Sequence, residues 1–92
     1  MSRIKIQHKN IIGKNLCEIR DSLKISQEEL AARCQRMGWD IARDTITRIE
    51  GLKRLVTDYE IFLLAKALDV IPTSLLPYRV DLREIIPKSS RE

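Results

Sequence analysis

The sequence has few of the residues that build most catalytic and metal sites. It contains one histidine, His8, and two cysteines, Cys17 and Cys34, which lack the paired spacing of a zinc knuckle. A single histidine cannot supply a histidine-based triad or a multi-histidine metal site. We therefore expect no enzyme activity, no metal and no cofactor, with both cysteines packed as small reduced side chains.

Long apolar runs are also missing. None approaches the roughly 20 residues that a membrane-spanning helix needs, and the basic start of the chain is followed by no apolar signal core. With 92 residues, 43% hydrophobic and 33% charged, the chain fits one small globular domain and is too short for two. We expect a cytoplasmic protein with no membrane partner.

Charge is distributed unevenly along the chain, whose net charge is +4. Residues 1–56 carry twelve Lys and Arg against seven Asp and Glu, whereas residues 57–92 carry five against six. Such asymmetry favours a polyanionic partner, although many small basic domains have no nucleic-acid role. The charge by itself is therefore a weak indication.

Glycine and proline are scarce, with three of each, and all the prolines lie in the last quarter of the chain. The middle is therefore free to be helical. Apolar residues at three- and four-residue steps predict a first helix over residues 13–24. Its buried positions are Ile12, Leu16, Ile19 and Leu23.

Two capping boxes predict where further helices begin. Ser26 with Glu29 opens a second helix of about eleven residues that Gly38 ends, and Thr57 with Glu60 opens a fourth. The apolar positions of these two helices are Leu30, Ala31, Cys34 and Met37 in the second, and Phe62, Leu63, Ala65, Ala67 and Leu68 in the fourth, which we expect to be the most buried segment.

The third helix is predicted over residues 42–50 and is amphipathic. Ile46 and Ile49 form its apolar side, and Gly51 is placed to end it. A short fifth helix follows over residues 72–76, with Pro72 at its first position. The sequence therefore predicts an all-α domain, a compact bundle of about five helices.

The two ends of the chain are less regular. Residues 4–6 and 79–83 alternate apolar and charged side chains, which fits either short strands or frayed arms, and residues 88–92 are typical of a disordered tail. Basic side chains at the start could form an arm. We divide the chain into a basic N-terminal arm (1–11), a helical domain (12–76) and a C-terminal segment (77–92).

An ordered set of fragments resembles the helix-turn-helix XRE family, the Cro and phage-repressor type of DNA-binding domain. The fragments are Ile12-Gly13, Ile19-Arg20, Ile25-Ser26-Gln27-Glu28-Glu29-Leu30-Ala31, Thr45-Ile46-Thr47-Arg48-Ile49-Glu50, Lys53-Arg54 and Leu64-Ala65-Lys66-Ala67-Leu68-Asp69-Val70. The resemblance implies a lambda-repressor-like helical bundle that binds double-stranded DNA, with the third helix reading the major groove. It also implies an architectural ion pair between Arg20 and Glu50 and a phosphate contact at Gln27.

The physics of the third helix agrees with that role. On a helical wheel its two isoleucines lie on one side, and the polar residues lie opposite, where they can reach base edges. The candidate base-reading residues are Arg43, Asp44, Thr47 and Arg48. Asp44 in the first turn also favours the helix dipole without any base contact. Lys53 and Arg54 are the candidate phosphate contacts, since cations there gain affinity by counterion release.

The sequence departs from the family pattern between Leu30 and Ile46. The family commonly uses about eleven residues there, whereas this chain uses sixteen, and Gly38 and Trp39 lie in the addition. We expect a longer second helix and a larger turn, with Trp39 packed over the joint. Ala42 replaces a usual serine or threonine cap, so the third helix could also begin at Asp40 or Asp44.

The leading functional hypothesis is a dimeric, sequence-specific transcriptional regulator, most simply a repressor. The alternative is a protein-interaction module, such as an antitoxin-like partner with little DNA binding. We expect a homodimer to use the fifth helix and residues 77–87. The apolar candidates are Leu75, Leu76, Tyr78, Val80, Leu82, Ile85 and Ile86.

Overall fold

The structure, a computed structural model, describes residues 10–78 as four α-helices and one turn of 3₁₀ helix. The elements are α1 (Gly13–Ser22), α2 (Gln27–Arg36), α3 (Arg43–Glu50), α4 (Asp58–Leu68) and the 3₁₀ turn (Pro72–Leu75). No strand occurs within these residues, which confirms the all-α class. The expected fifth helix is a single 3₁₀ turn. The strands considered for 4–6 and 79–83 and the tail over 88–92 lie outside the described residues.

The core forms where the apolar sides of all four helices meet. α4 contributes five buried residues, four of them apolar and the fifth Glu60, which is more than any other described helix. Within residues 10–78 no helix is both long and apolar enough to cross a membrane. The fully buried large side chains are Ile12, Leu16, Leu30, Ile46, Ile49, Leu64 and Leu75.

Three residues expected in the core are exposed instead. Leu23 and Met37 are C-cap residues, whose amides still bond to the fourth residue before them although no further helical turn follows. Phe62 is 64% exposed because it lies about 200° around α4 from the buried Leu64. Leu75, expected on a dimer surface, is fully buried.

All four helices end in the same way, but only one is followed by a glycine with positive φ. After each helix one residue adopts positive φ. The amide of that residue and the amide of the following residue donate to carbonyl oxygens in the last turn of the helix, which is the Schellman pattern. Gly38 has this role after α2, as predicted. α3 does end at Gly51, its C-cap residue, as predicted, but the φ of Gly51 is −85° and Leu52 adopts the left-handed conformation instead. The remaining two positions are Lys24 and Asp69.

The additional residues between α2 and α3 enlarge the turn. α2 ends at Arg36, so six residues separate the two helices, compared with about three or four in an ordinary helix-turn-helix. Trp39 is partly buried and packs against the core, and Gln35 Nε2 donates to the carbonyl oxygen of Ile41 at 2.7 Å. The turn is therefore held by packing and a hydrogen bond.

The start of α3 settles one alternative. The helix begins at Arg43 after an extended, uncapped Ala42, and at neither Asp40 nor Asp44. The buried Ile41 anchors the chain immediately before the helix. The residues that the sequence placed on the polar side of α3 are therefore on that side in the structure as well.

Candidate nucleic-acid interface

The polar side of α3 faces outward along its whole length. Ile46 and Ile49 are fully buried, and the four candidate base-reading residues are exposed. Those residues are Arg43, Asp44, Thr47 and Arg48. This arrangement leaves a convex row of hydrogen-bonding side chains that can enter a groove about 12 Å wide. Nothing in the described part of the monomer covers it.

Arg20 and Glu50 join α1 to the end of α3. Arg20 Nε donates to Glu50 Oε2 at 2.7 Å and Nη2 donates to Oε1 at 3.0 Å, while Nη1 donates to the carbonyl oxygen of Ile25 at 2.8 Å. Both side chains are at least 90% buried. This bidentate geometry restricts both the distance between the helices and the rotation of α3.

The environment of Glu50 keeps it ionised. Burial alone would raise the pKa of its carboxyl group, but hydrogen bonds from Arg20 and Gln27 outweigh that effect and hold the pKa below its usual value. The hydrogen bonds with Glu50 in turn raise the pKa of Arg20. The pair therefore stays charged at neutral pH.

Gln27 connects the start of α2 with α3. Gln27 Nε2 donates to Glu50 Oε1 at 2.9 Å. The amide oxygen of Gln27, Oε1, is then free to accept from the Thr47 hydroxyl, also at 2.9 Å. The charge of Glu50 determines this orientation, because a carboxylate can only accept. Gln27, expected at a phosphate, is therefore bonded to Thr47, one of the candidate base-reading residues.

Lys53 and Arg54 differ sharply, although the sequence suggested the same role for both. Lys53 is exposed just beyond α3. Arg54 instead forms a bidentate pair with Glu60, at 3.0 and 3.1 Å, and also donates to the carbonyl oxygen of Leu55. The hydrogen bond from Arg54 lowers the pKa of Glu60. Arg54 thus ties the loop to α4 and is not a mobile cation.

The capping boxes form differently from each other. Ser26 Oγ accepts from the Glu29 amide at 3.0 Å, but the Glu29 carboxylate pairs with Arg33 and Arg36 rather than returning to Ser26. Glu60 does reach back to the amide of Thr57, at 3.0 Å. Glu60 thus serves both its cap and Arg54, whereas the carboxylate of Glu29 bonds only to the two arginines of α2.

The cysteines also differ from each other. Cys34 is fully buried, and burial raises the pKa of its thiol to about 11. Cys17 is half-buried beside the Arg20–Glu50 pair, where burial and the charge of Glu50 raise its pKa. Among residues 10–78, no group of three His, Cys, Asp or Glu side chains is placed to hold a metal ion.

Sequence reasoning missed Asn10, which it placed in the N-terminal arm. Asn10 is 3% exposed, and its side chain bonds to both α1 and the end of α3. The available signal was an asparagine shortly before a predicted helix start, where short polar side chains bond free backbone amides. Its contact with α3, 39 residues away, had no sequence signal.

Comparison with known proteins identifies the family of this architecture. A family model described as helix-turn-helix matches residues 18–76. Among curated proteins, none matches the chain significantly.

Solved structures with the same fold include one sequence relative. The restriction-modification controller protein C.AhdI from Aeromonas hydrophila is 32% identical, with a TM-score of 0.62 over 71% of this chain and 87% of that chain. A hypothetical transcription factor, NHTF from Neisseria, is 23% identical with a TM-score of 0.65, covering 84% and 85%. The DNA-binding domain of BldD is 22% identical with a TM-score of 0.64, covering 80% and 100%. The latter two show the fold alone.

Proposed function

Since the chain belongs to the helix-turn-helix family, we propose that it is a sequence-specific transcriptional regulator that binds double-stranded DNA and reads the major groove with α3. The observation that carries the proposal is the exposed polar side of α3, held from behind by two buried isoleucines and the Arg20–Glu50 pair. A rigid, outward-facing polar helix is what base readout requires. The regulatory role of the C.AhdI controller supports the same assignment.

The four exposed residues of α3 have distinct roles. Arg43 and Arg48 each offer a guanidinium fork suited to guanine, and the methyl group of Thr47 can contact a thymine methyl. The Thr47 hydroxyl lies near two acceptors, Gln27 Oε1 at 2.9 Å and the carbonyl oxygen of Arg43 at 3.2 Å, which orient it before DNA arrives. Asp44 lies in the first turn and chiefly favours the helix dipole.

Phosphate contacts flank the reading helix. Lys53 supplies an exposed cation just after α3, and Gln27 retains a second amide proton for a phosphate while its first is bonded to Glu50. Arg54 has an internal role, which lowers the expected number of phosphate contacts by one. The affinity for DNA should still fall steeply with salt.

The regulator acts as a homodimer in this proposal. Two copies related by a two-fold axis would read half-sites about 34 Å apart, which predicts an inverted-repeat operator. Binding in the cytoplasm across a promoter would make the protein a repressor. The antitoxin-like alternative would give little DNA binding, together with a mainly apolar protein contact that depends little on salt.

The test is selection of bound duplexes from a random pool by the wild-type protein and by Arg43→Ala, Arg48→Ala and Lys53→Ala. We expect an inverted repeat for the wild type and a changed base preference in each arginine variant. Lys53→Ala should weaken binding uniformly and reduce the salt slope by about one. Lys66→Ala removes an exposed lysine from α4 and serves as the control. No enrichment, or unchanged preference in both arginine variants, would refute the proposal.

A further inference from the structure

Asn10 is a buried polar residue that bonds with both ends of its side chain. Oδ1 accepts from the amides of Ile12 and Gly13, both at 2.9 Å, and so caps the start of α1. Nδ2 donates to the carbonyl oxygens of Ile49 at 2.8 Å and Arg54 at 3.2 Å. One amide thus joins the first residues of α1 to the last turn of α3 and the loop beyond it.

The chemistry of this position calls for a carboxamide. The side chain at position 10 must accept from two amides and donate to two carbonyl groups. It must also be uncharged, because the residue is only 3% exposed. Aspartate could serve only the amides, and a hydroxyl has a single proton for the two carbonyl groups. Leaving such buried groups without partners costs free energy.

The backbones also approach closely at this point. A Cβ atom on Gly13 would press against the carbonyl oxygen of Ile49 and lie 2.7 Å from the side chain of Leu52. Only glycine allows the start of α1 so near the end of α3, and Asn10 then bridges the two. Both contacts involve the chain between Arg48 and Arg54, which carries Lys53.

α3 is therefore held at three separate points. Arg20 holds Glu50, Gln27 holds Thr47, and Asn10 holds the carbonyl oxygen of Ile49. The first two act on side chains, whereas Asn10 acts on the backbone. It therefore constrains the direction in which α3 ends and the path of the segment that follows.

We infer that Asn10 is a positioning residue for DNA readout, setting the orientation of the end of α3 so that Arg48 and Lys53 meet base and phosphate together. The inference rests on the proposed function. Displacements of about 0.5–1 Å are enough to spoil such a constellation, so discrimination between sequences should depend on this bond. Asn10 itself need not touch DNA.

The test uses Asn10→Asp, which keeps the two acceptor bonds at the start of α1 and removes the two donor bonds to the α3 side. The matched control is Asn15→Asp in the first turn of the same helix, since Asn15 Nδ2 donates to the carbonyl oxygen of Leu75 at 3.2 Å and not to α3. Both variants add one negative charge and lose donor bonds. Charge repulsion from DNA should lower specific and nonspecific affinity alike.

The measured quantity is the ratio of affinities for the selected duplex and a scrambled duplex at fixed salt. We expect this ratio to fall by about tenfold in Asn10→Asp and to stay at the wild-type value in Asn15→Asp. If a folded Asn10→Asp keeps the wild-type ratio, or if both variants lose it equally, the inference is wrong.

Amide hydrogen exchange without DNA separates this inference from the proposed function. The amides of Leu52 and Lys53 bond to the carbonyl oxygens of Ile49 and Arg48, so they should exchange faster in Asn10→Asp than in Asn15→Asp. Equal exchange in the two variants would overturn the positioning role. A wild-type protein that does not discriminate between duplexes would refute the proposed function, and with it the role of Asn10 in readout.

A milder pair of variants covers the case in which Asn10→Asp does not fold. Asn10→Ser keeps a capping oxygen, adds no charge and is too short to bridge to both carbonyl groups. Its control is Asn15→Ser. The same difference in affinity ratio is expected, and its absence would count equally against the inference.

Discussion

The Arg20 and Glu50 side chains are both buried, so their pairing offsets the cost of removing two charges from water. Removing Glu50 leaves the guanidinium of Arg20 buried without its main partner. We expect Glu50→Ala to lower the free energy of unfolding by about 3 kcal/mol, as for other broken buried pairs. Urea denaturation measures this loss.

The double variant Arg20→Ala, Glu50→Ala should lose less than the sum of the two single variants, with a coupling of about 1–3 kcal/mol. Glu29→Ala serves as the control, because its carboxylate pairs with arginines at the surface, and we expect little change. Strictly additive losses for Arg20 and Glu50 would contradict a coupled pair.

The same carboxylates predict how stability depends on pH. The pKa values of Glu50 and Glu60 are lowered in the folded protein from 4.5, so the unfolded chain takes up protons first as the pH falls. Their contribution to stability is present above about pH 4.5 and is lost as the pH falls through the lower folded values.

Urea denaturation between pH 7 and pH 3 should therefore show a decline in stability below about pH 4.5. Glu50→Gln should make this decline shallower, whereas Glu18→Gln, which removes an exposed carboxylate, controls for the change in net charge. A stability curve that stays level down to pH 3 would show that these pairs contribute nothing.

At the scale of the elements, the helix ends include non-glycine residues in the left-handed backbone conformation, which is unfavourable and was not predicted from the sequence. Lys24 has a φ of 60°, a region that costs a residue with a Cβ atom about 1–2 kcal/mol. Gly38 has a φ of 101°, and a Cβ atom at that position would meet nothing within 4 Å beyond its chain neighbours, so only backbone conformation is at stake there. Both residues are exposed.

We therefore expect Lys24→Gly to raise the free energy of unfolding by about 1 kcal/mol and Gly38→Ala to lower it by a similar amount. Chemical denaturation of the two variants measures both effects. Changes of the same sign in both variants would show that side-chain contacts, and not backbone conformation, dominate at the helix ends.

At the scale of the whole molecule, α4 presents an apolar surface that the domain itself does not cover. Tyr59 and Phe62 lie one helical turn apart and are 63% and 64% exposed. Leu76 and Tyr78 are also exposed, whereas the other dimer candidates at 80, 82, 85 and 86 lie outside the described residues. We propose that Tyr59 and Phe62 take part in the contact of the proposed homodimer.

Phe62→Glu should therefore shift the protein from dimer to monomer in sedimentation velocity, because a carboxylate in an apolar interface is costly to desolvate. Leu23→Glu, at an exposed apolar residue that follows α1, is the matched control and should leave the association state unchanged. If the Phe62→Glu protein remains dimeric, the dimer interface does not include this part of α4.

Much of the architecture could be predicted from patterns that are local in the chain. The periodicity of apolar residues located four helices, and it placed Ile46 and Ile49 inside and Arg43, Thr47 and Arg48 outside α3. These patterns depend on neighbours within one or two helical turns. The exceptions are the left-handed residue after α3, which is Leu52 and not Gly51, and the carboxylate of Glu29, which bonds to Arg33 and Arg36 and not to Ser26.

The sequence by itself determined the helical class, most of the inward positions of each helix and, through family resemblance, the candidate residues for contacting DNA. Family resemblance also implied the Arg20–Glu50 pair, but only the tertiary structure decided the other two bonds that hold α3. Gln27 meets Thr47 across 20 residues, and Asn10 meets Ile49 across 39. Such bonds form only after the helices have packed, so no spacing along the chain predicts them. For the same reason Lys53 and Arg54, adjacent in sequence, lie in different environments, the first exposed and the second paired with Glu60.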